Sequence, residues 1–355
     1  MVGPGHFDVA ITSMPLTDSD RLDPFANDGR LRSIMASAYY PVAACHQKYN
    51  QSYMPPETTM FQQDKFAAYG LPNGSFNSLT LETCNKTAKP SSCASRPFPL
   101  VFFSGALGTS RLLYNGMCQS VAAAGYMVIS IDHPYDADVV EFPDGTIITV
   151  ANISSDADVE TAINTRVDDI AFVYRQLENT SLTDKFFPGY THRHRAFNTA
   201  AIFGHSLGGA AAAAAMLQIP SLRGGMNIDG TMFGPVMTIG FDQPFLLLGH
   251  ENKTQETDPS WKATWPKLTG WKREFEVKGA AHYSFSDLPL ITSVLGLRKQ
   301  LPAEIGQVLG TLEGRRMMDI TVTYVTAFLD FLLKSGSEKK LESASNKFPE
   351  VGQVA

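Results

Sequence analysis

From residue 98 onward, short apolar runs alternate with longer segments of helical period. The runs FPLVFFSG (98–105), YMVISID (126–132), TAAIFGH (199–205), GMNID (225–229), PFLLLGH (244–250) and KREFEVK (272–278) read as strands, with IMASAYYPV (34–42) ahead of them. Helices are predicted over 111–124, 158–178, 207–218 and 317–334. The second opens at Asp156 or Asp158 and places apolar residues at 159, 163, 167, 170, 173, 174 and 177, a stripe of 3.6-residue period. Several strands are apolar at nearly every position, so a sheet built from them must be covered on both faces. The pattern predicts an α/β fold, a mostly parallel central sheet with crossover helices on both faces, with residues 1–334 as one domain.

Two stretches break the alternation. Residues 43–97 are rich in Pro, Ser and Asn and hold three cysteines, which predicts a surface loop excursion tied by disulfides. Residues 335–355 are polar and predict a flexible tail.

Composition narrows the class. A net charge of -6 without a basic run argues against nucleic acid or an anionic membrane as partner, while peripheral contact with neutral lipid surfaces stays open. No apolar run reaches the ~18 residues of a membrane span. Six of the thirteen asparagines (Asn50, Asn73, Asn85, Asn152, Asn179 and Asn252) open N-x-S/T sequons, so the chain is expected to be secreted and glycosylated, with Met1 outside the mature N-terminus. Four cysteines allow three pairings; Cys84 and Cys93 flank a short polar loop and are the expected bridge, leaving Cys45 with Cys118.

The candidate chemistry lies in AIFGHSLGGAAAAAAMLQ (201–218). Gly204-His205-Ser206-Leu207-Gly208 fits G-x-S-x-G, with an apolar strand running into it and a helix of the best helix former running out. At such an elbow the serine hydroxyl projects above the sheet and a Cβ on either flank would strike backbone, which glycine avoids. The six alanines let the following helix lie close to the sheet with its N-terminal amides aimed at the site.

A serine hydroxyl needs a base, and the base an orienting carboxylate. In sheets of this type the chain order is Ser, acid, His. Only His250 and His282 follow Ser206; His282, in the small-residue loop after the last predicted strand, is favoured. Asp229, at the end of the strand after the nucleophile helix, is the leading acid, with Glu251, Asp242 and Asp258 as competitors. The N–H of Leu207 is one expected oxyanion donor, and the loop FFSGALGTS (102–110) offers a second.

With these residues placed, the chain resembles the secreted platelet-activating factor acetylhydrolases of the α/β-hydrolase superfamily. The likeness runs from about Arg32 to Leu333 through FSGALGTSRLLY, GYMVISIDHP, GHSLGGA, NIDGTMFG and GAAHYSFSD. It implies Ser206 as nucleophile, Asp229 as acid, His282 as base, the amides of Leu107 and Leu207 as oxyanion hole, and no cofactor or metal. Gly105 stands where the family commonly has His, and Thr231 where a bulky aromatic often follows the acid, so the pocket is the least transferable part.

Trp261, Trp265, Phe233 and Tyr283 are candidate pocket residues, and 253–271 and 286–312 candidate pocket or lid segments. DHPYDAD (132–138) is read as a weak metal candidate, and Arg166 with Asp169 as a surface pair. The expected activity is hydrolysis of a short-acyl ester of an amphiphile such as a phospholipid. Acyl transfer, lactone or polyester hydrolysis, and an inactive binding protein are the alternatives.

Overall fold

The computed structural model describes residues 6–42, 45, 47–85, 97–188, 197 and 199–355. Its strands are β1 (Asp8–Leu22), β2 (Leu31–Val42), β3 (Lys48–Ser52), β4 (Thr80–Cys84), β5 (Leu100–Ser104), β6 (Met127–Asp132), β7 (Val139–Glu141), β8 (Ile147–Thr149), β9 (Ala200–His205), β10 (Leu222–Ile228), β11 (Phe245–His250), β12 (Lys272–Val277) and β13 (Val351–Gln353). Between them run α1 (Pro56–Ala67), α2 (Asn115–Ala123), α3 (Asp156–Gln176), α4 (Thr180–Phe186), α5 (Leu207–Gln218), α6 (Pro259–Thr264), α7 (Leu288–Val294), α8 (Ala303–Leu309), α9 (Gly314–Leu333) and α10 (Lys339–Lys347).

Eleven strands form one sheet in the order β13-β12-β11-β10-β9-β5-β6-β2-β1-β4-β3. From β6 to β12 every neighbouring pair is parallel, and all of these strands but the charged β12 come from the apolar runs of the sequence. Helices α2, α7 and α9 cover one face around Phe103, Met226 and Phe275. Helices α3 to α6 cover the other around Phe102, Ile202 and Leu247. Helix α3 starts at a capping box in which Ser155 and Asp158 satisfy each other's backbone N–H. No helix among the described residues is long and apolar enough to cross a membrane.

Each predicted strand and helix has its counterpart, and the departures lie at the two ends and in the excursion. Strand β1, absent from the sequence prediction, forms a long hairpin with β2 from Asp8↔Val42 onward. Its outward half is polar, so it lacks the apolar density that marks the central strands. The stretch expected to be a loop excursion contains β3, α1 and β4, with β3 and β4 extending the sheet edge.

Cys45 bonds to Cys84, not Cys118. Cys84 sits opposite Lys48 in the β3–β4 register, so residue 45, just ahead of β3, comes beside it, with Cα atoms 5.6 Å apart. Cys118 is a free thiol inside the core on α2, and burial pushes its pKa well up. Cys93, the other expected partner of Cys84, lies outside the described residues.

The tail is also structured. Helix α10 packs back through Leu341, Phe348 is buried, and β13 adds an antiparallel edge strand to β12. Few apolar residues suffice here because β12 supplies a ready row of hydrogen-bonding groups.

Candidate active site

Ser206, Asp229, His250 and His282 lie at or just past the C-terminal ends of parallel strands, where crevices in such sheets form. Ser206 follows β9, Asp229 follows β10, His250 ends β11, and His282 opens a 3₁₀ turn after β12. The ladder carries through the elbow residues: Ser206 N–H donates to Ile228 O at 2.8 Å, and Asp229 N–H to Leu248 O at 2.8 Å.

Ser206 has φ 57° and ψ -125°, a conformation that costs a non-glycine residue of order 1–3 kcal/mol. The neighbouring glycines permit it. A Cβ on Gly204 would lie 2.1 Å from Gly208 O, and one on Gly208 would lie 2.0 Å from Ser104 O. The second contact also shows that the end of β5 abuts the start of α5, where alanines 210–213 and 215 are fully buried.

His282 Nε2 lies 2.9 Å from Ser206 Oγ, and His282 Nδ1 lies 2.5 Å from Asp229 Oδ2. An ionised carboxylate only accepts, so Nδ1 carries the hydrogen and Nε2 faces the serine hydroxyl as acceptor. Among the described residues neither Glu251, Asp242 nor Asp258 bonds His282. Glu251 accepts from Gly279 N–H, and Asp258 caps α6 and pairs with Lys253.

Asp229 has a second imidazole on its other oxygen. His250 Nδ1 lies 2.6 Å and His250 N 2.9 Å from Oδ1. Burial alone would raise the Asp229 carboxyl, but the hydrogen bonds from His250 and His282 outweigh it and hold the group well below the ordinary carboxylate range. The sequence signal for His250 was its place at the end of an apolar strand; its reach to the acid depends on the β10–β11 register.

His205 is buried beneath this relay. Its Nε2 lies 2.8 Å from His282 O, a group that only accepts, so Nε2–H donates and Nδ1 accepts from Tyr114 Oη–H at 2.8 Å. Burial first, then the nearby His282, push its pKa down to about 3, so it stays neutral. His205, Asp229 and His282 lie close enough to hold a metal, but every one of these donor atoms is already committed within the chain.

The turn after β5 is pinned at several of its backbone atoms. Gly105 O accepts from Arg166 Nη1 at 2.5 Å, Ala106 N–H donates to Tyr114 Oη at 3.1 Å, Gly108 N–H donates to Asp136 O at 2.9 Å, and Gly108 O accepts from Lys65 Nζ at 3.0 Å. The N–H of Leu107 has no acceptor in the described chain. That of Leu207 heads α5 and has no acceptor within the helix.

Arg166 is buried, not at the surface. It forms a two-point ion pair with Asp136 and donates to Ser104 Oγ. Asp169, equally buried, instead pairs with Arg32 and His133, and His133 passes the network on to Ser104. The remaining carboxylates of DHPYDAD are engaged too, Asp132 by Arg111 and Asp138 by Lys65. Arg166, Asp136, Lys65 and Tyr114 are thus residues around the site that sequence reasoning did not place there, and His250, weighed only as a rival base, bonds the acid instead; each is joined to the site by contacts far apart in the chain.

Of the candidate pocket residues, Tyr283 lines an apolar cavity of about 290 Å³ between α1, α7 and α8. Trp261 is buried and donates Nε1–H to Gly230 O at 2.6 Å, which pins the turn carrying Asp229. Trp265 stacks under Lys272, and Phe233 packs against the α5 side of the core. Segment 286–312 divides: α7 is largely core, whereas α8 has no buried residue.

The chain matches the model of the family "Platelet-activating factor acetylhydrolase, isoform II" over residues 23–141 and 191–347. It belongs to that family. It is 29% identical, over 98% of its own length and 91% of the relative's, to a "Probable 1-alkyl-2-acetylglycerophosphocholine esterase" of Arthroderma benhamiae. Among solved structures it is similar to a ferulic acid esterase from Streptomyces cinnamoneus, with TM-score 0.82, 28% identity, and coverage of 99% of this chain and 98% of that one. As a member of this family, the chain is a carboxylic ester hydrolase of α/β-hydrolase-like fold acting on a small-molecule ester.

Proposed function

We propose that ester hydrolysis runs through an acyl-enzyme on Ser206. The observation carrying this is the relay from Asp229 through His282 to Ser206, at 2.5 and 2.9 Å. Ser206 Oγ attacks the ester carbonyl and its proton passes to His282 Nε2; Asp229 stabilises the imidazolium. The carbonyl oxygen, now anionic, receives the N–H groups of Leu107 and Leu207, with the α5 N-terminus adding a favourable dipole. Collapse expels the alcohol, which takes the proton from Nε2. Water then gives a proton to Nε2 and attacks the acyl carbon, and a second collapse frees the acid and returns the proton to Ser206.

The substrate class is an ester of an amphiphile, of the kind named for the Arthroderma relative. The chain is exported and N-glycosylated in this reading, supported by the Cys45–Cys84 bridge and by the exposure of all six sequon asparagines.

An organophosphonate ester should label wild-type protein and leave Ser206→Ala unlabelled. Asp229→Asn should lower kcat by about 10³–10⁴-fold with the fold intact. The assignment of the acid fails if Glu251→Gln does this and Asp229→Asn does not. Product analysis with a competing alcohol separates hydrolysis from acyl transfer.

A further inference from the structure

We infer that the cavity between α1, α7 and α8 is a binding chamber for one hydrocarbon chain of the ester substrate, an inference that rests on the proposed Ser206 chemistry. The chamber borders the proposed site through two wall residues, and the ring of one of them, Tyr283, packs edge-on against His282 with centroids 5.4 Å apart. Thr109 in its wall directly follows the pinned oxyanion turn, and Tyr283 directly follows His282.

Its lining is mostly apolar and suits hydrocarbon. Phe66, Leu113, Ile291 and Leu309 present apolar surface. Three of its polar groups are spent elsewhere: Lys65 Nζ on Gly108 O and Asp138, Thr292 Oγ1 on Pro289 O and Thr109 Oγ1 on Leu107 O, which leaves the hydroxyls of Tyr69 and Tyr283. A polar ligand would therefore lose its hydration for few partners, whereas a methylene chain loses nothing.

Size sets the length. At about 290 Å³ the chamber is roughly twice the ~150 Å³ that holds one benzene ring, which corresponds to about a dozen carbon atoms. The outer wall is α8, whose Ile305 and Val308 face the chamber although the helix has no buried residue; Val308 is 40% and Tyr69 50% exposed. Apolar side chains left half-wet over an apolar hollow gain burial when a chain fills it.

The experiment measures kcat/KM for p-nitrophenyl esters from acetyl to dodecanoyl and for a matched series of n-alkyl acetates. The first reads an acyl chain in the chamber, the second an alcohol chain. Burial of a methylene limits the gain to about fourfold per carbon. In one of the two series kcat/KM should rise two- to fourfold per methylene across at least four methylenes and stop rising by about twelve carbons.

Ile305→Trp should lower the ratio of octyl acetate to ethyl acetate, or of octanoyl to acetyl ester, at least tenfold by filling the hollow, while Ile305→Ala should extend the rise to longer chains. Thermal melting identifies a variant that fails to fold, and the other then decides. Both series flat within twofold, on protein that turns over acetyl esters and is labelled at Ser206, would overturn the chamber and leave the proposed catalysis standing. Protein neither active nor labelled would overturn the catalysis and the chamber with it.

Discussion

The sharpest test of how the proposed oxyanion turn is held is Arg166→Met. The arginine is buried and makes four hydrogen bonds, two to the Asp136 carboxylate, one to Ser104 Oγ and one to Gly105 O. Methionine fills much of the volume but strands Asp136 as a buried charge, which costs about 3–5 kcal/mol. It also releases the Gly105 carbonyl, one of the pins on the turn that presents the Leu107 N–H. Complete loss of one oxyanion donor costs about 10²–10³ in kcat, so a loosened donor should cost about 10–100-fold, with KM little changed because the bond strengthens only as the oxyanion forms. The double variant Arg166→Met/Asp136→Leu removes the stranded charge and should regain most of the stability. It should still be at least about tenfold low in kcat, since Gly105 O remains without its donor. Urea unfolding together with kcat and KM on an acetyl ester separates the two effects. If the double variant recovers stability and full kcat together, Arg166 serves the fold alone and the positioning argument is wrong.

Two further outcomes are expected. His250→Asn removes one of three donors to Asp229 but keeps the backbone N–H, so kcat should fall about three- to tenfold, against near-complete loss in His282→Asn; equal losses in the two variants would make His250 a base in its own right. His205, with its pKa pushed down to about 3 by burial, binds its proton in the unfolded chain near 6.5 but not in the fold, so its contribution is complete above pH 6.5 and is lost as pH falls toward 3. From pH 6.5 to 4.5 this lost stability amounts to about 2–3 kcal/mol, with buried His133 adding in the same direction, and His205→Gln should flatten the decline measured by denaturant unfolding at the two pH values.

Chemistry written in local order was legible in the sequence. Strand, glycine-flanked Ser206 and alanine helix are contiguous, so their meaning needs no long-range contact, and the apolar runs of β5, β6, β9, β10 and β11 state that both faces of the sheet are covered. The relay was legible too, because chain order in a parallel sheet restricts which Asp and His can reach the strand ends. Edge elements were not: β1 and β13 are polar on one side and gain their stability from the hydrogen-bonding rows of β2 and β12, which no local pattern reports.

What the tertiary structure alone decided is how the site is held. Arg166 and Asp169 look like an exposed i,i+3 pair on α3 until packing takes the helix against the sheet and gives each a different distant partner. Cys84 found Cys45 through the β3–β4 register, and Lys65, from a stretch that reads as loop, reaches the carbonyl of Gly108. A buried charge must be paired, but sequence does not say with which partner. The elbow that carries Ser206 is a local feature of the chain, whereas the pins on the proposed oxyanion turn are supplied by the closing of the whole sheet.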